Sequence, residues 1–204
     1  IHHGIKVFLQ LAQGTKEKNR ETMIDGAMES VHQAERLAQN LKNLSRLKEG
    51  GLEQGRIDLV SILKDSKDVT ELLHPDHKGK ILLESDVEEL EIEGNSLVKE
   101  MFINIMDNAV KYGAIEDLDV IVKLRSSPDN IEVRIIDEGP GIPEGMRSNL
   151  FDRFRRGEDG KIGRTGLGLS ISKKIADSIG ADVVISDRED QKQGSCFKII
   201  FNRS

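Results

Sequence analysis

From Asn95 to Leu169 the chain changes periodicity four times, and each change has its own breaker. Asn95 to Tyr112 carries apolar residues at helical spacing, with Met101, Ile105 and Val110 on the buried side. Val120 to Ser126 and Ile131 to Ile136 alternate apolar and polar residues, as half-buried strands do. Asp137-Glu138-Gly139-Pro140-Gly141 closes the second strand, and a further glycine-rich turn leads into a helix over 166–179. Val183 to Ser186 and Cys196 to Phe201 are the remaining strands of this half. Upstream, Asp58 can cap a helix that runs to about His74, and Lys80 to Glu84 with Glu89 to Ile92 read as a short hairpin. Helices segregate from mostly antiparallel strands, which predicts an α+β fold, a two-layer α/β sandwich.

The first fifty residues have a different pattern. Ile1, Ile5, Phe8, Leu9 and Ala12 share one helical face before Gly14-Thr15 interrupts it, with Thr15 as N-cap and Glu17 as an early acid. A second helix over 16–48 places Ile24, Ala27, Val31, Ala34, Ala38 and Leu41 at alternating steps of three and four, a coiled-coil-like seam. Leu37 and Leu44 widen the stripe beyond what a two-stranded coil needs. This predicts an antiparallel helical hairpin, either half of a dimeric four-helix bundle or folded back on its own C-terminal domain. Gly50, Gly51 and Gly55 mark a linker, giving domains at 1–50 and 58–204 joined by 51–57.

Three candidate sites stand out on residue chemistry alone. Asn104 and Asn108 lie one turn apart inside a helix, where Asn is a poor helix former, with Lys111 nearly another turn along. Amide oxygens suit Mg²⁺ shared with phosphates, and Lys111 can reach a phosphate; a solvated helix face is the plain alternative. Asp137 ends an apolar strand beside Gly139 and Gly141, where a carboxylate can accept from an exocyclic amine and the backbone can approach a flat ring. An ordinary Asp-Gly turn is the alternative there. Gly163, Gly166 and Gly168 precede a helix, so free N–H groups and the positive dipole end face a possible anion, in a spacing that is neither a P-loop nor a Rossmann fingerprint.

Four segments in fixed order resemble the N, G1, F and G2 boxes of sensor histidine kinases. They are N-S-L-V-K-E-M-F-I-N-I-M-D-N-A-V-K-Y (95–112), D-E-G-P-G-I-P (137–143), L-F-D-R-F-R-R (150–156) and G-R-T-G-L-G-L (163–169). The resemblance covers roughly residues 95 to 202, with a weaker extension back to residue 5. It implies the ATP-binding fold shared with gyrase-type ATPases. It further implies that Asn104 and Asn108 hold Mg²⁺ and phosphates, that Lys111 and Tyr112 line the nucleotide, and that Asp137 reads the adenine amino group. Gly139, Gly141, Ile142, Thr165, Gly166, Leu167, Gly168 and Leu169 complete the implied nucleotide site. The polar segment between Pro143 and Arg164 corresponds to the ATP lid, pinned by Phe151 and Phe154, with Arg156 at the terminal phosphate. Arg153, Arg155 and Lys161 read as solvated lid charges.

The implied reaction is transfer of the γ-phosphoryl of Mg-ATP to a histidine, then to an aspartate in the receiver domain of a response regulator, by a homodimer. In this family an Ile follows the acceptor His by nine residues, and counting back from Ile5 passes Ile1. The helical L-S-R-L, here Leu44 to Leu47, falls about fifty residues after the acceptor, whereas His3 lies only 43 before Arg46. Gly4 also replaces the acidic residue that follows the acceptor. The acceptor is therefore expected upstream of Ile1, with His3 the lesser candidate. Hydrolysing relatives of the topoisomerase or mismatch-repair type carry a water-activating Glu where this chain has Asn104. A non-catalytic ATP-binding scaffold or phosphatase-biased regulator is the other alternative.

Composition narrows the classes. A net charge of −6 argues against a general nucleic-acid binder. The single cysteine, Cys196, excludes an intramolecular disulfide, suits a cytoplasmic setting and reads as packing in the final strand. No apolar run reaches the ~18 residues of a membrane span. The chain reads as a fragment beginning inside a helix, so any membrane anchor is expected upstream of Ile1. His2, His3, His32, His74 and His77 show no metal spacing with Cys196.

Overall fold

The computed structural model describes residues 38–47, 52–113, 119–151, 167–190 and 192–203, together with single positions between 24 and 35. The expected first helix, with Ile1, Ile5, Phe8, Leu9, Ala12, Thr15 and Glu17, lies outside the described residues, as does Leu37.

Strand β1 (Gly55–Asp58) runs straight into helix α1 (Leu59–Leu73). Asp58 is the hinge between them. Its carboxylate accepts from the backbone N–H groups of Val60 (3.1 Å) and Ser61 (3.3 Å), satisfying two of the unpaired donors of the first turn. Then follow β2 (Ile81–Ser85), β3 (Glu91–Gly94), helix α2 (Val98–Gly113), β4 (Val120–Ser126) and β5 (Asn130–Ile136). The chain ends with a single-turn helix α3 (Glu144–Arg147), helix α4 (Gly168–Ser178), β6 (Ala181–Ser186) and β7 (Cys196–Asn202).

Five strands form one sheet in the order β2-β4-β5-β7-β6, with every pair antiparallel except β2–β4. Alternation sorts its two faces. Val122, Leu124, Val133, Ile135, Ile199 and Phe197 point inward and are buried. They meet Leu59 and Leu63 of α1, Met101, Phe102, Ile105 and Met106 of α2, and Ile171 and Ile175 of α4 in one core. The other face carries Lys123 paired with Glu84, and Lys198 paired with Glu189, as a solvated sheet face does. The result is the two-layer α/β sandwich expected from the sequence. Cys196 is 2% exposed, and burial pushes its thiol pKa up, as suits a packing residue.

One expectation fails. Residues 80–84 and 89–92 do not pair with each other as a hairpin. Strand β2 pairs in parallel with β4, and β3 pairs with β1 in a separate two-stranded sheet (Ile57↔Ile92). Parallel pairing needs a crossover connection, and α2 lies in it. Gly55–Asp58, expected as the end of a linker, is itself a strand. Leu59 N–H donates to Leu90 O (2.8 Å) and Asp58 accepts from Leu90 N–H (3.1 Å), so the segment before β3 is committed to the start of α1.

Residues 38–47 are helical, and Leu44 and Leu47 pack on the domain core. Arg46 donates to Ser96 Oγ (3.0 Å) at the start of α2, and Gln54 donates to Ser178 O (3.1 Å) at the end of α4. Of the expected seam, Ala27 is buried and Val31 and Ala34 are half-buried, while Ile24, Ala38 and Leu41 are exposed.

Candidate nucleotide site

Helix α2 starts where Asn95 Oδ1 accepts from Leu97 N–H at 2.9 Å. Its apolar side takes Val98, Met101, Phe102, Ile105, Met106 and Ala109 into the core. Asn104, Asp107, Asn108 and Lys111 follow at steps of three, one and three, so they share the opposite stripe. Asn104 and Asn108 are half-buried. Asn104 Oδ1 lies 3.7 Å from where a Cβ on Gly168 would stand, so the amide rests against the first turn of α4. Among the described residues Asn104 Nδ2 is buried with no hydrogen-bond partner. A buried amide with an idle donor costs free energy unless a ligand completes it.

Helix α4 is anchored by Leu167, which is 2% exposed, and among the described residues its N-terminus has no side-chain cap. Its first N–H groups therefore remain available for an anion beside Asn104. Leu169 is half-buried in this first turn. Arg156, Thr165 and Gly166 lie outside the described residues, as do Phe154, Lys161, Gly163, His3 and Gly4. Tyr112 is exposed, at the far end of the stripe.

Lys111 is not a free ammonium. It donates to Asp107 Oδ2, while Asp107 Oδ1 lies 2.7 Å from His74 Nε2 at the end of α1. Burial opposes ionisation of Asp107, but the hydrogen bonds from His74 and Lys111 and the Lys111 charge outweigh it and hold this carboxyl below the usual range.

Asp137 follows β5 immediately and is buried. Its Oδ1 accepts from Gly139 N–H (2.9 Å) and Ser195 N–H (3.2 Å), and its Oδ2 accepts from Ser195 Oγ–H. One lone pair on Oδ2 remains for a ligand donor. The turn then needs glycine at 141 (φ 76°), where a Cβ would meet Gly194 O at 3.1 Å. Ile142 packs against the core, and its carbonyl accepts from Arg147 Nε at 2.8 Å. An open groove of about 700 Å³ runs between residues 140–143 and 192–194, bordering the Asp137 turn and not the Asn104 stripe.

Asp107, His74, Arg188, Gly194 and Ser195 complete this picture, and the sequence reading assigned none of them a role in the site. Asp107 alone carried a local signal, its place three residues after Asn104. Among the described residues no group of three or more His, Cys, Asp or Glu could hold a metal by itself. Two amide oxygens fit a hard cation that takes its remaining ligands from phosphate and water.

Residues 94–204 match the family described as histidine kinase-, DNA gyrase B- and HSP90-like ATPase. The sensor protein KdpD of Clostridium acetobutylicum is 30% identical over 90% of this chain and 21% of its own length. The sensor histidine kinase YkoH of Bacillus subtilis is 34% identical over 80% of this chain and 36% of its own length. The chain thus spans about a third or less of these relatives. A mycobacterial sensor histidine kinase, MprB, is similar in structure with a TM-score of 0.61 and 27% identity, covering 74% of this chain and 97% of that one. A histidine kinase solved with a response regulator shares the fold over 100% of this chain and 60% of its own, with a TM-score of 0.70 and 20% identity.

Proposed function

The chain belongs to the histidine kinase-, DNA gyrase B- and HSP90-like ATPase family, and from that premise we propose that it is the catalytic part of a sensor histidine kinase. It would bind Mg-ATP and transfer the γ-phosphoryl to a histidine, for relay to an aspartate of a response regulator receiver domain. The observation that carries this reading is the pairing of two half-sites. Asp137 is fixed with a lone pair free for an exocyclic amine, and Asn104 stands with an idle amide against the uncapped start of α4.

Within the site, Asp137 orients the base, and Gly139, Gly141 and Ile142 give it a flat floor. The N–H groups of Gly168 and Leu169 and the Lys111 ammonium meet the phosphates. Asn104 and Asn108 would hold Mg²⁺, which supplies charge neutralisation between the phosphates when bound. Arg156 and Thr165 join from the lid. Asn104 favours transfer over hydrolysis, because an amide cannot act as general base for water. The names of the relatives support the same choice.

The proposal extends to organisation. Residues 1–50 form most of a dimerisation hairpin, 51–57 a connection whose last residues enter β1, and 58–204 the ATP-binding domain. The protein works as a homodimer on the cytoplasmic side. The acceptor histidine precedes Ile1, with His3 the lesser candidate.

Calorimetric titration with ATP and ADP, with and without Mg²⁺, tests the binding step; no heat of binding would remove the proposal. Radiolabelled ATP then separates the chemistries. Acid-labile label on a chain extended upstream supports the kinase, whereas steady phosphate release without label would assign hydrolysis. Label on the present chain that disappears in His3→Gln would make His3 the acceptor.

A further inference from the structure

We propose that Arg188, on the loop joining β6 to β7, is a positioning residue that fixes Asp137 for reading the exocyclic amine of adenine and so sets base preference. This rests on the nucleotide reading above. The Arg188 side chain is 6% exposed although its neighbours Asp187 and Glu189 are exposed. A buried guanidinium is costly unless its donors are matched. Here they are matched across two segments. Nε and Nη2 donate to the two oxygens of Asp190 (2.9 and 2.7 Å) within the loop. Nη1 donates to Glu138 Oε1 (3.1 Å) and to the main-chain oxygen of Asp137 (3.4 Å). The planar fork therefore ties the loop to the turn that follows β5 as one rigid unit.

The rest of the loop makes sense only with that tie in place. A Cβ on Gly194 would stand 2.0 Å from Asp137 O and 2.8 Å from Arg188 Cδ, at a φ of +136°. The loop backbone thus lies flat against the Asp137 peptide, where only glycine fits. The next residue, Ser195, holds the Asp137 carboxylate through its N–H and hydroxyl and accepts from Asp137 N–H at 3.0 Å. Asp137 is consequently held at its carbonyl by Arg188, and at its amide and carboxylate by Ser195. Removing the guanidinium would take away the charge that joins Glu138 to Asp190 and the donor to the Asp137 carbonyl, loosening the turn. Reading a single amine needs the carboxylate placed within about 0.5 Å, so the base contact suffers first. Among the described residues no hydrogen bond joins Asn104, Asn108, Lys111, Gly168 or Leu169 to this loop.

The test compares ATP with inosine triphosphate, which carries a carbonyl in place of the amine, by calorimetric titration of Arg188→Gln and Asp190→Asn. Wild type should prefer ATP. Arg188→Gln should weaken ATP roughly tenfold, the worth of one charge-assisted hydrogen bond, and bring the ATP-to-inosine-triphosphate ratio toward one. The ATP-to-ADP ratio should stay at its wild-type value, because the phosphates are not addressed. Asp190→Asn should shift the base ratio in the same direction by less, and it serves if Arg188→Gln fails to fold. In an Asp137→Asn background, Arg188→Gln should add nothing further. Equal weakening of both nucleotides, or an unchanged base ratio, would overturn the inference. A wild type that binds both triphosphates equally would instead sink the reading of Asp137 itself, and the inference with it.

Discussion

The Asp137 carboxylate receives three hydrogen bonds from the protein before any ligand is considered, and this decides what its replacement does. In Asp137→Asn, the remaining oxygen can still accept from Gly139 and Ser195, and the new amide can donate to the Ser195 hydroxyl. The fold survives, but a donor now faces the donor of the base. ADP binding should weaken by roughly 1.5–3 kcal/mol, seen by calorimetry, with little change in urea unfolding. Unchanged affinity would remove Asp137 from the site. Asp107 is the opposite case, a residue whose charge stabilises the domain. Its carboxyl is held below the usual carboxylate range, so its stabilisation is fully present well above the unfolded value and fades as pH falls through the lower folded value. Asp107→Asn should cost on the order of 1–3 kcal/mol in urea unfolding at pH 7, and the gap to wild type should narrow as the solution is acidified through the folded value. A gap that stays constant as the solution is acidified would show that shape, not charge, is what Asn lacks. At this scale the sequence revealed residues that act through local spacing. Asn104, Asn108 and Asp137 announce themselves by helical repeat or by a strand-ending turn. Ser195 and Arg188 reach Asp137 from 58 and 51 residues away, and no local pattern records such a contact.

Among the elements, β1 explains both what was missed and why α1 is placed so firmly. A four-residue strand opening on Gly55 looks like a linker, because its alternation is too short to register and glycine is a poor strand former. Once β1 went unseen, β3 had no visible partner except its neighbour β2, and a hairpin followed. The longer elements were legible because seven-residue alternation in β4 and β5 and sixteen residues of helical repeat in α2 leave one reading of each. Asp58 joins these elements, serving the first turn of α1 and Leu90 N–H with one side chain. Asp58→Ala should cost about 1–2 kcal/mol and lower the melting temperature by roughly 2–4 °C for each kcal/mol. Asp58→Asn, which keeps the acceptor, should recover most of that loss. Thermal unfolding followed by circular dichroism checks both, and a wild-type melting point for the alanine variant would refute the shared role.

For the whole molecule, the helix ahead of the domain leaves Ile24, Met28 and Leu41 more than two-fifths exposed. Covering such side chains with a second copy is favourable, at about 25 cal/mol for each Å² removed from water. Sedimentation should therefore show a concentration-dependent dimer that Leu41→Glu disrupts, while nucleotide affinity stays the same. A wild type that sediments as a monomer at high concentration would refute the bundle. The parallel pairing of β2 with β4 has a consequence in time. The chain between those strands holds β3 and α2, so the edge pair of the main sheet and the asparagine-bearing helix belong to one crossover unit. That helix should open together with the sheet it packs on. Its amide protons should exchange with solvent as slowly as those of β5 and β7, while β1 and β3 exchange sooner, so the part that grips phosphate would be the last to let go.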